Sequence, residues 1–408
     1  MASNHKVELL PSDYEYVIVG SGAGGGPLSA NLARHGHQVL LLEAGDDQGQ
    51  SLMQKVPAFH IVATEDPVIR WDFFVKHYDD ETQAARDPKM TWGTPDGKMF
   101  IGVNPPPGSK QKGVYYPRAG TLGGCTAHNA LITVLSPDED WARIANITND
   151  SSWGPQQMKR YFERLERCGY LSEGTDGHGF GGWLETNHAD PIVLTSKRTF
   201  VEAALHAVPS PSKQFKDDVN SREPQVEGAY ELTLPMSERG RRSSARNYLV
   251  ATANARNADG SKKYPLHIRM RSLATSILFS GNDGKPKAIG VEFLEGKSMY
   301  KADPTFDPKH AGIKRRVFAS REVIVAGGSF NTPQLLKLSG IGPKEELQKF
   351  GIPVRVNLPG VGYNLQDNYE YPVIYRCDQN LSIFQDSLFG SAGESVSHPM
   401  GPGGQRTV

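Results

Sequence analysis

A β-branched and aromatic run, Tyr14 to Val19 (YEYVIV), opens directly onto Gly20-Ser21-Gly22-Ala23-Gly24-Gly25, which leads into the helical stretch Leu28 to Arg34. Few folds accommodate this order of strand, glycine turn and helix. Gly20 permits the tight turn, Gly22 lets a pyrophosphate approach the main chain, and Gly25 lets helix and strand pack closely. The helix N-terminus offers free N–H groups and its dipole to the phosphates. A second apolar run, Gln38 to Leu42, ends at Glu43, eighteen residues past Gly25, where a carboxylate accepts hydrogen bonds from ribose hydroxyls. The pattern predicts a dinucleotide cradle, without choosing between NAD and FAD.

The 408 residues suggest two domains, or one large nucleotide-binding domain with an inserted region. Lys and Arg number 45, as do Asp and Glu, so the chain is neutral overall and gives no support to a nucleic-acid or membrane-surface partner. Cys125, Cys168 and Cys377 are odd in number and widely spaced, which fits a reducing compartment, and none belongs to a CxxC pair. The polar N-terminus lacks the apolar run of a secretory signal, and no later stretch has the length of a membrane span. A soluble, cytoplasmic protein is expected. The sequons at Asn146, Asn149 and Asn380 then carry no sugar.

Two further segments narrow the choice of cofactor. One runs from Pro117 and Arg118 through Gly123-Gly124-Cys125-Thr126-Ala127-His128-Asn129 to Ala130. The other, Gly328 to Gly342 (GSFNTPQLLKLSGIG), follows the strand-like Glu322 to Ala326. With the early turn, with Arg241 to Leu249 (RRSSARNYL) and with Gly360 to Asp367 (GVGYNLQD), they resemble the glucose-methanol-choline oxidoreductases from about Tyr14 to about Tyr371. The resemblance implies an α/β architecture: a Rossmann-like FAD-binding domain joined to a partial α+β substrate domain built around an antiparallel sheet. It also implies FAD as cofactor, a small-molecule alcohol as substrate, and hydride transfer from the alcohol carbon to flavin while a base removes the hydroxyl proton.

Residue chemistry stands beside the resemblance. Gly123 and Gly124 have no side chains, so a flat isoalloxazine ring can lie against their backbone, and Asn129 can place its amide near the ring's polar edge. Ser329 or Asn331 can cap a helix whose first turn carries Thr332-Pro333 and whose apolar face carries Leu335, Leu336 and Leu338. Leu266 to Met270, Thr275 to Phe279, Ala288 to Leu294 and Arg316 to Ala319 read as strands. By the resemblance these strands help hold adenine, with Ala274 meeting it through its backbone, and Arg118, Thr332 and Asp367 belong to the cofactor site.

The Gly-Gly-Cys-x-x-His-Asn run is most similar to that of the family's choline-oxidising members, in which this His is joined to the flavin. His128 is therefore a candidate for covalent attachment, a neutral imidazole being a competent nucleophile; packing beside the ring is the alternative. Ala130 stands where those members have Ser, Asn368 replaces the His usual after Gln-Asp, and Glu370 aligns with the acid facing a quaternary ammonium. Choline is accordingly one candidate substrate among alcohols.

The family's catalytic His is expected beyond Val408, and Gly390 to Val408 reads as a Gly/Ser/Pro-rich tail whose His398 has no motif around it. A truncated or mis-spliced gene model is favoured over a fragment needing a partner chain or a non-catalytic flavoprotein. The chain alone is expected not to turn over alcohols. A redox-silent lyase or cyclase is the competing function.

Residues 1–155 and 240–370 are assigned to the FAD-binding domain, and 156–239 with 371–408 to the substrate region. Gln48 to Lys112, rich in proline, reads as a loop insertion suited to a lid or a homodimer contact. The patterns Asp138 to Ile144 and Pro155 to Cys168 read as helices packed by Trp141 and Trp153. His35 and His37 border the first helix, His178 and His188 fall in loops, and none has metal-ligand spacing.

Overall fold

The structure is a computed structural model that describes residues 7–10, 13–189, 216–221, 228–281 and 286–367. The chain divides into two compact units, the first made of Met1–Ala130 with Arg242–Gln366 and the second of Leu131–Arg241 with Asp367–Val408. The first division thus falls after Ala130, earlier than the expected position near 155. The helices that follow it, Asp138–Thr148 (α2) and Pro155–Leu165 (α3), pack on each other within the second unit through Trp141 and Phe162, whose ring centroids lie 6.1 Å apart.

The first unit centres on a parallel sheet of β2 (Tyr16–Val19), β3 (Val39–Leu42), β10 (Leu266–Arg269) and β14 (Glu322–Val325), in the order β10-β3-β2-β14. Its inner strands are apolar at every position because both faces are covered. Val17, Val19, Leu40 and Leu42 point to one side and pack against Ile277, Val291, Phe293 and Val317. Ile18, Val39 and Leu41 point to the other and pack against Ala30 and Ala33 of α1 (Gly25–Arg34) and Leu249 of α4 (Ala245–Asn254). Ser244 and Asn247 close a capping box at the start of α4, giving local cause for that helix within the Arg241 to Leu249 segment.

The second layer is the sheet β1-β13-β12-β11, built from β1 (Glu8–Leu9), β11 (Ser272–Ser280), β12 (Lys287–Glu295) and β13 (Ile313–Phe318). Its last three strands are antiparallel, and the four strands read from the sequence between Leu266 and Ala319 are all present. The stretch Gln48 to Lys112 departs from expectation. It holds β4 (Arg70–Val75), β5 (Met90–Gly93), β6 (Met99–Ile101) and the first residues of β7 (Lys110–Ala119), joined in the order β4-β7-β5-β6. The prolines that suggested a loop sit between strands, and the long β7 recruits its neighbours by pairing at 70–75 and 90–93, a non-local contact that local composition does not display.

In the second unit, the described residues contain one parallel pair, β8 (Glu166–Cys168) and β9 (Leu184–Thr186). The helix expected to reach Cys168 ends at Leu165, because Glu166 to Cys168 are drawn into this pairing.

Candidate flavin site

The cleft lies at the C-terminal ends of the parallel strands, where an open α/β sheet binds its ligands. Gly20 follows β2 with φ +95°, and a Cβ there would come within 2.4 Å of the Ala326 carbonyl oxygen, so the turn is open only to glycine. The first turn of α1 is capped by Gly24 without any side-chain hydrogen bond, and since the Gly26 N–H donates to the Gly22 carbonyl at 2.9 Å and Pro27 has no N–H, an anion would meet the helix dipole and the preceding glycine turn. Gly22, Ala23 and Gly24 line the cleft, whereas Gly25 sits behind it and packs helix to strand.

The second glycine pair meets the first. Gly124, at φ +55°, approaches so closely that a Cβ on it would stand 2.8 Å from the Gly22 Cα. The Gly123 N–H donates to Ser21 Oγ at 2.9 Å, and the Ser21 hydroxyl donates in turn to the Glu43 carboxylate. Glu43 also accepts from the Ser21 N–H at 3.1 Å and the Gly45 N–H at 2.8 Å. Burial raises its pKa, against the lowering effect of these donors. One carboxylate therefore fastens the early turn to the Gly123-Gly124 segment, about a hundred residues away. Ser21 is invisible to motif reading because the pattern leaves its position free.

The cleft encloses about 460 Å³, within the usual range for a small-molecule site. Arg118, Gly124, Glu43 and Ala274 line it as the sequence suggested; so do Trp71, Cys125, Asn331 and Gln334, which were not anticipated. Trp71 comes from β4, in the stretch read as loop. Helix α5 (Gly328–Leu338) starts at Gly327 without a side-chain cap, in place of the expected Ser329 or Asn331 cap, and Pro333 falls inside it. The earlier start turns Asn331 and Gln334 toward the cleft, and Thr332 is not among the residues that line it. Asp367 is exposed and also outside the lining; Glu370 and Asn368 lie outside the described residues.

His128 is not part of the lining either. It is only 3 % exposed, and neither ring nitrogen has a hydrogen-bond partner. Burial, reinforced by the charges of Arg242 and Arg118, pushes its pKa down to about 4, so the ring is neutral near pH 7. Arg242 is also buried and donates to the backbone oxygen of Asn129 at 2.9 Å and to its Oδ1 at 2.7 Å, while its Nε and Nη2 are unpartnered. The Asn129 side chain is thereby engaged with a guanidinium.

These residues fit FAD: a side-chain-free backbone and an open helix N-terminus suit the diphosphate, and Val19, Leu42, Ala274 and Leu335 supply apolar walls. A profile of the GMC oxidoreductase family matches residues 14–370. The chain belongs to the GMC oxidoreductase family. It is 28% identical over 379 residues to a mitochondrial choline dehydrogenase of Mus musculus, covering 91% of this chain and 52% of that one. An oxygen-dependent choline dehydrogenase of Staphylococcus xylosus is 28% identical over 385 residues, covering 93% and 57% respectively. The chain thus spans about half the length of the curated relatives it matches. Among solved structures, pyridoxine 4-oxidase from Mesorbium loti superposes with a TM-score of 0.62 at 22% identity, over 85% of this chain and 55% of that one. A formate oxidase variant of Aspergillus oryzae RIB40, studied for FAD modification, superposes with a TM-score of 0.59 at 19% identity, over 86% and 51%. This GMC chain has the family's FAD-binding fold, and among its described residues no helix is long and apolar enough to cross a membrane.

Proposed function

We propose that this GMC chain provides the FAD-binding portion of an oxidoreductase that converts the CH–OH group of a small alcohol to a carbonyl. The reading rests on one observation above others, the close backbone approach of Gly124 to Gly22, which brings the early glycine turn against the second glycine pair. FAD, when bound, supplies the hydride acceptor. The glycine turn from Gly20 to Gly24, at the positive end of the α1 dipole, would hold its diphosphate, Glu43 would take the ribose, and the Ala274 backbone would meet adenine. Arg242 fixes the Asn129 segment through its backbone oxygen and its side-chain Oδ1. His128, neutral and without a hydrogen-bond partner but outside the cleft lining, is the residue to test for a covalent bond to the flavin. The kinship with choline dehydrogenases makes choline the first alcohol to test.

None of the described residues lining the cleft is a histidine, and the proposal assigns no residue of this chain as the base that takes the alcohol proton. The 408-residue chain is accordingly expected to bind FAD without turning over alcohols; steady peroxide formation or dye reduction with choline would overturn that part. FAD binding itself is read by visible absorbance of the refolded or purified chain. Gly124→Ala is expected to weaken it at least about tenfold, a change of ~1.4 kcal/mol, because the new methyl must displace Gly22. Unchanged affinity in that variant would remove the central support for the site. Yellow colour that stays with acid-denatured protein, and is lost in His128→Ala, is the expected sign of the covalent bond.

A further inference from the structure

The second compact unit holds a buried cluster that has no part in the flavin site. Glu166 and Cys168 stand two residues apart on β8, so strand geometry sends both side chains to one face. The chain then loops out and returns, bringing His178 to that face. The return is fixed by main-chain bonds: the Cys168 N–H donates to the Gly179 carbonyl at 2.8 Å, and the Gly182 N–H to the Glu166 carbonyl at 2.9 Å. His178 Nδ1 lies 3.0 Å from Glu166 Oε2, and Nε2 lies 3.2 Å from Asp218 Oδ2. Thr186 donates to Glu166 Oε1 at 2.8 Å, and Gly179 N–H reaches Oε2 at 3.2 Å. One donor atom each from Glu166, Cys168 and His178 lie within 4.8 Å of one another.

We propose that Glu166, Cys168 and His178 form a binding site for a zinc-class divalent cation, with Asp218 holding the outer nitrogen of the imidazole. Thiolate, imidazole and carboxylate are the ligand types this ion takes, and three of them leave a fourth position for water. The surroundings match those of metal ligands as well. A ligating imidazole is usually oriented by a carboxylate on its other nitrogen, as Asp218 does here, and a ligating carboxylate by a donor on its second oxygen, as Thr186 does. Charge also balances. The ion replaces the proton between His178 Nδ1 and Glu166 and the thiol proton of Cys168, so two protons leave as two positive charges arrive. The competing arrangement is a permanent imidazolium held between two carboxylates.

The full chain, dialysed against chelator and reloaded with one equivalent of zinc, is examined by zinc K-edge X-ray absorption, to which bound flavin is transparent. The expected shell has one sulfur at about 2.3 Å and nitrogen or oxygen atoms at about 2.0 Å. Cys168→Ser should lose the sulfur, and Asp218→Asn should keep it while weakening affinity about 10- to 100-fold. A shell of nitrogen and oxygen alone in the wild type would mean adventitious surface zinc, and sulfur surviving in Cys168→Ser would mean another cysteine; either sinks the proposal. Should Cys168→Ser fail to fold, Asp218→Asn decides, since unchanged affinity there is equally fatal.

Discussion

Two buried histidines, one in each compact unit, take opposite charge states in the ion-free protein. His128 is 3 % exposed and His178 8 % exposed, so both lose nearly the same contact with water. His128 has no hydrogen-bond partner and two guanidiniums nearby, and its pKa falls to about 4. For His178, burial likewise acts downward, but the hydrogen bonds its ring makes to Asp218, Cys168 and Glu166 outweigh it and push the pKa up to about 11. Burial removes solvation from both rings; the neighbours decide which form survives.

The largest effect should come from His178 in the ion-free protein. Its folded pKa lies above the unfolded value, so the stabilisation is complete below about pH 6.5 and is lost as pH rises toward 11. His178→Gln leaves two carboxylates facing a neutral amide, and should destabilise the second unit by about 5 kcal/mol at pH 6 in urea unfolding. The gap to wild type should close as pH approaches 11; a gap independent of pH would break the contrast with His128.

His128 carries the opposite sign. Its folded pKa is depressed, so the unfolded chain takes up a proton that the folded one refuses, and stability drops as pH falls from about 6.5 to 4. The loss approaches about 3 kcal/mol, from ~1.4 kcal/mol per pH unit over that interval. In His128→Gln the acid-induced loss should shrink by that amount, and parallel curves for the two proteins would show that the ring is not buried neutral.

The smallest effect sharpens the comparison by keeping the partner and reducing the burial. His37 lies 3.2 Å from Glu15, with side chains 28% and 24% exposed. Water and salt screen such a pair, and His37→Gln should leave the urea midpoint within experimental error. A shift as large as that of His178→Gln would mean that partners matter even without burial.

Legibility followed the range of the interactions. The early turn, strands β2 and β3, the strands from Leu266 onward and the Gly123-Gly124 segment could all be read, because glycine without a side chain and an all-apolar strand are local signatures of their roles. Trp71 was missed because β4 exists only by pairing with β7. Asn331 and Gln334 were missed because a cap was expected where the helix had already begun. The Glu166, Cys168 and His178 group has no recognisable spacing: two members share a strand face, and the third returns through a loop of nine intervening residues.

The order of residues alone settled the dinucleotide cradle, the apolar strands of the central sheet and the kinship that names FAD, since each depends on neighbours close in the chain or on a recurring motif. Only the folded structure decided that Ser21 and Glu43 hold Gly123, that Arg242 donates to the amide oxygen of Asn129, and that in the ion-free protein one buried imidazole is neutral while another is charged. Those outcomes depend on groups brought within a few ångströms from distant positions, and on the water excluded when they meet.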